Sequence, residues 1–196
     1  MVRADYARWM RIEPPNPPLS DGVVLLRPWE ERDVRAITTA CRDDDIAWWL
    51  DQVPQPYSES DARAYVAMTR RGWKEGSHCA FAVTDAPTGA VIGSIGVHWL
   101  DPDQGVAEIG YWVRAEARGR GVATRATLLV SRWAVERCGA RRLQLRADAR
   151  NVASQRVAER AGFRREGVLR SVRFNPRQGR RVDFVLYSLL PDELPG

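Results

Sequence analysis

Two arginines alternate with two glycines at Arg118-Gly119-Arg120-Gly121, immediately before an apolar pattern of helical period. The first-turn amides of a helix have no internal partner, and the aligned peptide dipoles leave partial positive charge there. Glycine removes the side chain that would block close approach, and each arginine adds formal charge. Together they suit a phosphate or pyrophosphate. The spacing is neither GxxxxGK with a following Ser or Thr, nor GxGxxG, so it argues against a nucleoside triphosphate loop and a dinucleotide fingerprint. Cys41, Cys79 and Cys138 are far apart and odd in number, with only His78 and His98 to assist. They predict no metal site, and thiols kept in a reducing compartment.

The elements that must position this loop follow from periodicity and turn residues. Residues 23–29 read as a strand, and residues 30–43 as a helix with acidic residues in its first turn. Residues 46–57 are aromatic and proline-broken, with no regular pattern. Ser58 with Asp61 resembles a capping box that starts a helix running to about Glu75. Residues 78–85 and 90–100 flank a turn-like APTG as a hairpin, and residues 105–113 form a third strand. After the RGRG loop a helix runs to about Cys138, stopped by Gly139 in a left-handed cap. Val122, Ala126, Leu129 and Trp133 make the stripe that packs on the sheet. Residues 141–147 alternate as a strand. The strand–loop–helix–strand order therefore predicts a parallel pair with a right-handed crossover. Asn151 caps a short helix ended by Gly162, and a hairpin around PRQG closes the chain. The fold class is α/β in the mixed α+β sense, with flanking helices.

The bulk numbers bound the rest. The chain has 196 residues, 44% hydrophobic and 28% charged, which suits one globular domain, taken as 21–194, behind a proline-rich arm, 1–20. No apolar run approaches the roughly 18 residues of a membrane span, and the N-terminus lacks a signal-peptide core. A cytoplasmic protein is expected. Net charge is +5, with arginines spread along the chain and matched by 25 acidic residues, which argues against a nucleic-acid-binding module.

Arg118-x-x-Gly121-x-Ala123 matches the Gln/Arg-x-x-Gly-x-Gly/Ala acyl-CoA loop of the GNAT acetyltransferase superfamily. With EIGYWV before it and NVASQRVAERAGFRREGVLR (residues 151–170) after it, the chain most resembles the RimJ/RimL branch over roughly residues 20–191. That branch includes enzymes that acetylate the N-terminal amine of ribosomal proteins. The resemblance implies a mostly antiparallel sheet whose one parallel pair, residues 105–113 and 141–147, splays apart to hold acetyl-CoA. Backbone groups of Tyr111, Trp112 and Val113 would pair with the pantetheine arm. Amides of Arg118, Gly119, Arg120, Gly121, Val122, Ala123 and Thr124 would cradle the pyrophosphate. Asn151 would bond pantetheine, cap its helix, or both, and Arg156 would reach the phosphates or sit on a solvated helix face.

The implied chemistry is direct transfer from the thioester to an amine. It needs an acceptor for the amine's proton, a donor for the oxyanion, and something to stabilise the departing thiolate. A backbone amide near Val113 is the oxyanion donor. Ser154 is the candidate for the sulfur, in a place where many family members carry a tyrosine; its alternative is to satisfy a first-turn amide. Glu108 shares a strand face with Gly110 and Trp112, so it either draws the amine's proton beside a cavity or pairs with an arginine. Trp48, Trp49 and Tyr57 are candidates to line the acceptor pocket or to pack ordinarily. The acceptor is a protein N-terminus or a small-molecule amine such as an antibiotic or polyamine. A non-catalytic acyl-CoA-binding domain is the alternative. The family also implies homodimerisation, and no membrane or nucleic-acid partner is expected.

Overall fold

The computed structural model describes residues 12–195; most of the proline-rich arm, residues 1–11, lies outside them. The chain runs β1 (Leu19–Ser20), β2 (Val24–Pro28), α1 (Val34–Cys41), α2 (Asp44–Trp49), α3 (Glu59–Glu75), β3 (His78–Asp85), β4 (Val91–Asp101), β5 (Val106–Val113), α4 (Val122–Cys138), β6 (Arg142–Asp148), α5 (Val152–Arg160), β7 (Arg164–Asn175) and β8 (Arg180–Leu189). The strands form one sheet in the order β1-β2-β3-β4-β5-β6-β8-β7. Its pairs are antiparallel apart from β5–β6, which is parallel, as the crossover requires.

Local chemistry sets the helix ends. Ser58 and Asp61 close the expected capping box on α3. Gly139 stops α4 at φ 72°, and Asn151 caps α5 by accepting from the Ser154 amide. The segment without a readable pattern contains α2, capped by Asp43, whose side chain accepts from the amides of Asp45 and Ile46.

Two cores sit on the sheet. In the larger, α4 contributes Val122, Ala126, Val130, Trp133 and Ala134. Leu129, expected in this stripe, is only partly buried at its edge. Thr127 and Ser131 are buried instead, so the covered face of α4 lies to that side of the expected stripe. The second core joins α1 and α3 to the sheet through Val34, Ile37, Ala62 and Val66, with Trp29 at its centre. Beyond the expected arm boundary, Ile12 is buried in the first core and Leu19–Ser20 pairs with β2.

Candidate active site

β5 and β6 stay paired for a short stretch. Their register runs from Val106 opposite Arg142 to Glu108 opposite Gln144 and stops there. Beyond it, β5 follows β4 as far as Val113 opposite Gly93, while β6 follows β8 as far as Asp148 opposite Phe184. The strands part, and a cavity of about 820 Å³ passes through the wedge. The antiparallel ladder decides which backbone groups face it. The Arg114 amide donates to the Ile92 carbonyl at 3.0 Å. Because hydrogen-bonded and non-hydrogen-bonded pairs alternate along such a ladder, the amides of Tyr111 and Val113 turn away from β4 and into the wedge. Trp112 lines the cavity as well, but its backbone does not face it. Its carbonyl is turned to β4, where a Cβ on Gly93 would stand 2.7 Å from it, and its ring stacks on Trp29 at 6.2 Å. Its backbone, expected to contact a ligand, is used by the sheet.

The wall at the other side of the wedge is the start of α4. Gly119 and Gly121 hold φ of 75° and 76°, values that side-chain-bearing residues rarely adopt. A Cβ at Gly119 would meet nothing within 4 Å, and Gly121 caps the helix with no side chain of its own. The first-turn residues Val122, Ala123 and Thr124 line the cavity. Arg118 does something other than expected. Its Nη1 and Nη2 donate to Asp45 at 2.7 Å and Asp43 at 2.9 Å, its Nε donates to the Val113 carbonyl at 3.1 Å, and its amide is bonded to Ala115. Arg118 thus lines the cavity while its charge and amide are both engaged, and it ties the loop to α2. Arg120 also departs: it is 61% exposed, 4.0 Å from Asp85 and away from the cavity, because the left-handed glycines on either side turn it to solvent. Arg156 lines the cavity, and Arg160, which the sequence did not single out, does so too.

Asn151 accepts the Ser154 amide at 3.0 Å through Oδ1 and lines the cavity too, so it caps its helix at the wall of the site. The Ser154 hydroxyl lies 2.8 Å from the Tyr111 hydroxyl. Sequence reasoning used only the backbone of Tyr111. The available signal was its face: it alternates with Ile109 and Ala107, toward the side that α5 covers. Burial pushes the Tyr111 phenol up to about 12, with the Ser154 bond pulling weakly the other way.

Glu108 faces the cavity and pairs with Arg146, Oε2 to Nε at 2.6 Å. The ion pair and the cavity, posed as alternatives by the sequence, occur together; a Cβ on neighbouring Gly110 would meet open space. Of the aromatic trio, Trp49 alone lines the cavity. Trp48, the next residue round a short helix, is 43% exposed, and Tyr57 is buried in the second core beneath α1. The acceptor side is completed by Leu50, Gln52, Arg173 and Phe184. Arg173 stands 5.1 Å over the Phe184 ring and pairs with Asp51 at 2.7 Å. Arg177 donates to the carbonyls of Ala47 and Val53, fastening α2 and its following loop to the closing hairpin. Among the described residues, no group of three or more His, Cys, Asp or Glu is placed to hold a metal, and no helix is long and apolar enough to cross a membrane.

A family model described as "Acetyltransferase (GNAT) domain" matches residues 24–164. The chain is 26% identical over 173 residues to "Uncharacterized N-acetyltransferase p20" of Bacillus licheniformis, covering 88% of this chain and 96% of that one. It is 37% identical over 108 residues to "Putative ribosomal N-acetyltransferase YdaF" of Bacillus subtilis, covering 55% and 58%. Among solved structures, Mycobacterium smegmatis RimJ in complex with CoA-disulfide superposes with a TM-score of 0.81 at 22% identity, covering 91% of this chain and 87% of that one.

Proposed function

The chain belongs to the GNAT acetyltransferase family, and from that membership we propose that it transfers the acetyl group of acetyl-CoA directly to the α-amine of a protein N-terminus. The observation that carries the reading is one cavity with four walls: parted strands, a glycine-bare helix start, the Tyr111–Ser154 pair, and Glu108.

The residues present fit acetyl-CoA. A diphosphate needs bare amides and cations; Gly119 and residues 121–124 offer the former, and Arg156 and Arg160 the latter. A pantetheine arm needs strand-like partners, which the Tyr111 and Val113 backbones and the Asn151 amide provide. The volume of about 820 Å³ falls within the range typical of small-molecule sites. Bound acetyl-CoA would supply an activated acetyl thioester and a thiol leaving group.

This chain's residues then have three tasks. The Val113 amide, aimed into the wedge, holds the carbonyl oxygen as it gains charge. Glu108, with its rotamer set by Arg146, receives the amine's proton directly or through a water. The Tyr111–Ser154 pair faces the departing sulfur. Magnitudes decide how it acts: a thiol ionises near ~8.5, while Tyr111 ionises at about 12. Full proton transfer from tyrosine would be uphill by roughly 5 kcal/mol, so the pair stabilises the thiolate by hydrogen bonding. An α-amine, with a pKa near ~7.9, holds roughly 300-fold more neutral nucleophile than a lysine near ~10.4, which matches a site with one modest base. The likeness to YdaF, whose name includes a ribosomal N-acetyltransferase activity, supports the same acceptor.

Thiol release from acetyl-CoA, measured against peptides beginning with Ser, Ala or Thr and against small amines, tests the reading. Peptide turnover is expected; turnover of small amines alone would remove the N-terminal acceptor. Coenzyme A should raise the melting temperature of the protein, and Gly121→Glu, which puts a charged side chain in the helix mouth, should abolish that rise.

A further inference from the structure

β7 is the free edge of the sheet, paired with β8 on one side only. Its register breaks between Leu169 and Arg173, where Arg170, Ser171 and Val172 stand opposite Asp183. Ser171 takes φ 54° there; its amide donates to Asp183 at 2.7 Å, and its carbonyl accepts from Arg181 at 3.0 Å. Such a bulge interrupts strand pairing, which resumes at Arg173 opposite Val182, and re-aims the chain. Residues 164–169 form an open edge that carries one further register shift, at Glu166 between Arg165 and Gly167, and the strand beyond Ser171 brings Arg173 to the cavity. A row of register neighbours also leads from the cavity to this edge. Asp148 on β6 sits opposite Phe184 on β8, which sits opposite Leu169 on β7. The first two line the cavity, and Leu169, their register neighbour on the edge, is exposed.

The hairpin is strongly cationic. Residues 164–181 contain seven arginines and a single acid, Glu166, which Arg142 engages through both oxygens. Arg165 and Arg170 are exposed and form no ion pair among the described residues. Arg181 is exposed and bonds only neutral groups of Ser171. Val168 and Val172 add apolar surface at 42% and 37% exposure. Open backbone amides and carbonyls, unpaired cations and apolar side chains together suit an extended acidic chain. A nucleic acid would gain nothing from the strand's backbone groups and would find one exposed aromatic on the hairpin, Phe174, to stack on.

Building on the N-terminal acceptor reading, we propose that residues 164–169 of β7 dock the body of the acceptor, an acidic polypeptide laid along the edge as an added strand. Its N-terminus turns in at the bulge and enters the cavity over Leu169 and Phe184. Three strand spacings separate β5 from β7 where the sheet is closed, roughly 14 Å, and the parting of β5 from β6 widens this, so at least four extended residues are needed to span it. Residues one to four of the acceptor thus lie in the site, and those from about the fifth onward lie on the edge.

The test uses the full chain, acetyl-CoA, and peptides that share their first four residues but carry acidic, neutral or basic tails, beside the four-residue amide alone. The acidic tail is expected to raise kcat/KM about tenfold over the neutral tail, through KM, with the gain lost at high salt. Arg165→Glu with Arg170→Glu should erase the gain while leaving the four-residue acceptor unaffected. N-methylating alternate tail amides, which blocks a strand ladder and keeps the charge, should also reduce it. Equal kcat/KM for all tails overturns the docking surface but leaves the N-terminal acceptor standing. Turnover of small amines with no peptide turnover removes the acceptor reading itself. Tail gains that survive N-methylation overturn strand addition, and displacement of the acidic peptide by an oligonucleotide but not by polyglutamate makes the edge a nucleic-acid site instead.

Discussion

Tyr111 and Ser154 are 43 positions apart, one on a strand and one in the first turn of a helix, and their hydroxyls meet at 2.8 Å. Removing the phenol tests what that meeting does. Tyr111→Phe should lower kcat by roughly 10- to 100-fold, the value of a hydrogen bond to a charged group, with little change in KM for acetyl-CoA. Burial, which keeps this phenol protonated until about 12, also fixes a pH effect. The unfolded chain releases the same proton near ~10, so the stability linked to this group is complete below that pH and declines between ~10 and 12. No alkaline loss of rate from Tyr111 is expected below ~10, and a pH–rate profile falling earlier in wild type but not in Tyr111→Phe would contradict this. At this scale the sequence showed single residues better than their meetings. The glycines of the loop, Asn151, Ser154 and Glu108 were legible because each sits at a position with its own local signature. Arg146 and Phe184 were not, since they reach the cavity only through sheet pairing. Arg118 was misread because an arginine's partners, here Asp43 and Asp45, leave no trace in its neighbours.

Among the elements, α2 links the fold to the site. Asp43 caps it with Oδ1, accepting from the Asp45 amide at 2.8 Å, and holds Arg118 with Oδ2 at 2.9 Å. One carboxylate therefore ends a loop, starts a helix and restrains the phosphate-facing turn. Asp43→Ala should cost about 1 kcal/mol for the lost cap and raise KM for acetyl-CoA several-fold. Arg118→Ala should raise the same KM while leaving the cap intact, so its melting temperature should fall less. If the two variants melt alike, the cap contributes nothing of its own. Three other helix ends were readable beforehand because Ser58 with Asp61, Gly139 and Asn151 are short-range devices, whereas the helix expected over residues 30–43 is shortened to Val34–Cys41 behind a 3-10 turn at Glu31–Asp33. α2 escaped because its six residues are too few to show a period, and Pro54 and Pro56 follow closely. Its cap, with acidic residues in the first turn, was the one signal present.

At the scale of the molecule, the wedge exists because each parted strand has a better partner elsewhere. β5 keeps β4 through eight register positions to Val113, and β6 keeps β8 through six to Asp148. Element order and the parallel crossover could be read from the sequence, since they follow from periodicity and handedness. Where the pairing stops could not, because that depends on two outer strands pulling the inner pair in different directions. The consequence is an alternation along β5 that amide hydrogen exchange can read. Trp112 lies in the β4 ladder, so its amide should exchange slowly with or without ligand. Tyr111 and Val113 point into the wedge, so theirs should exchange quickly in the free protein and slow by at least tenfold when coenzyme A is added. Protection of all three amides in the free protein would mean that the strands close on each other in solution. Protection of none, even with saturating coenzyme A, would mean that the pantetheine arm takes another route. The outcome with the fast–slow–fast pattern collapsing to uniform protection is the one the parted strands require.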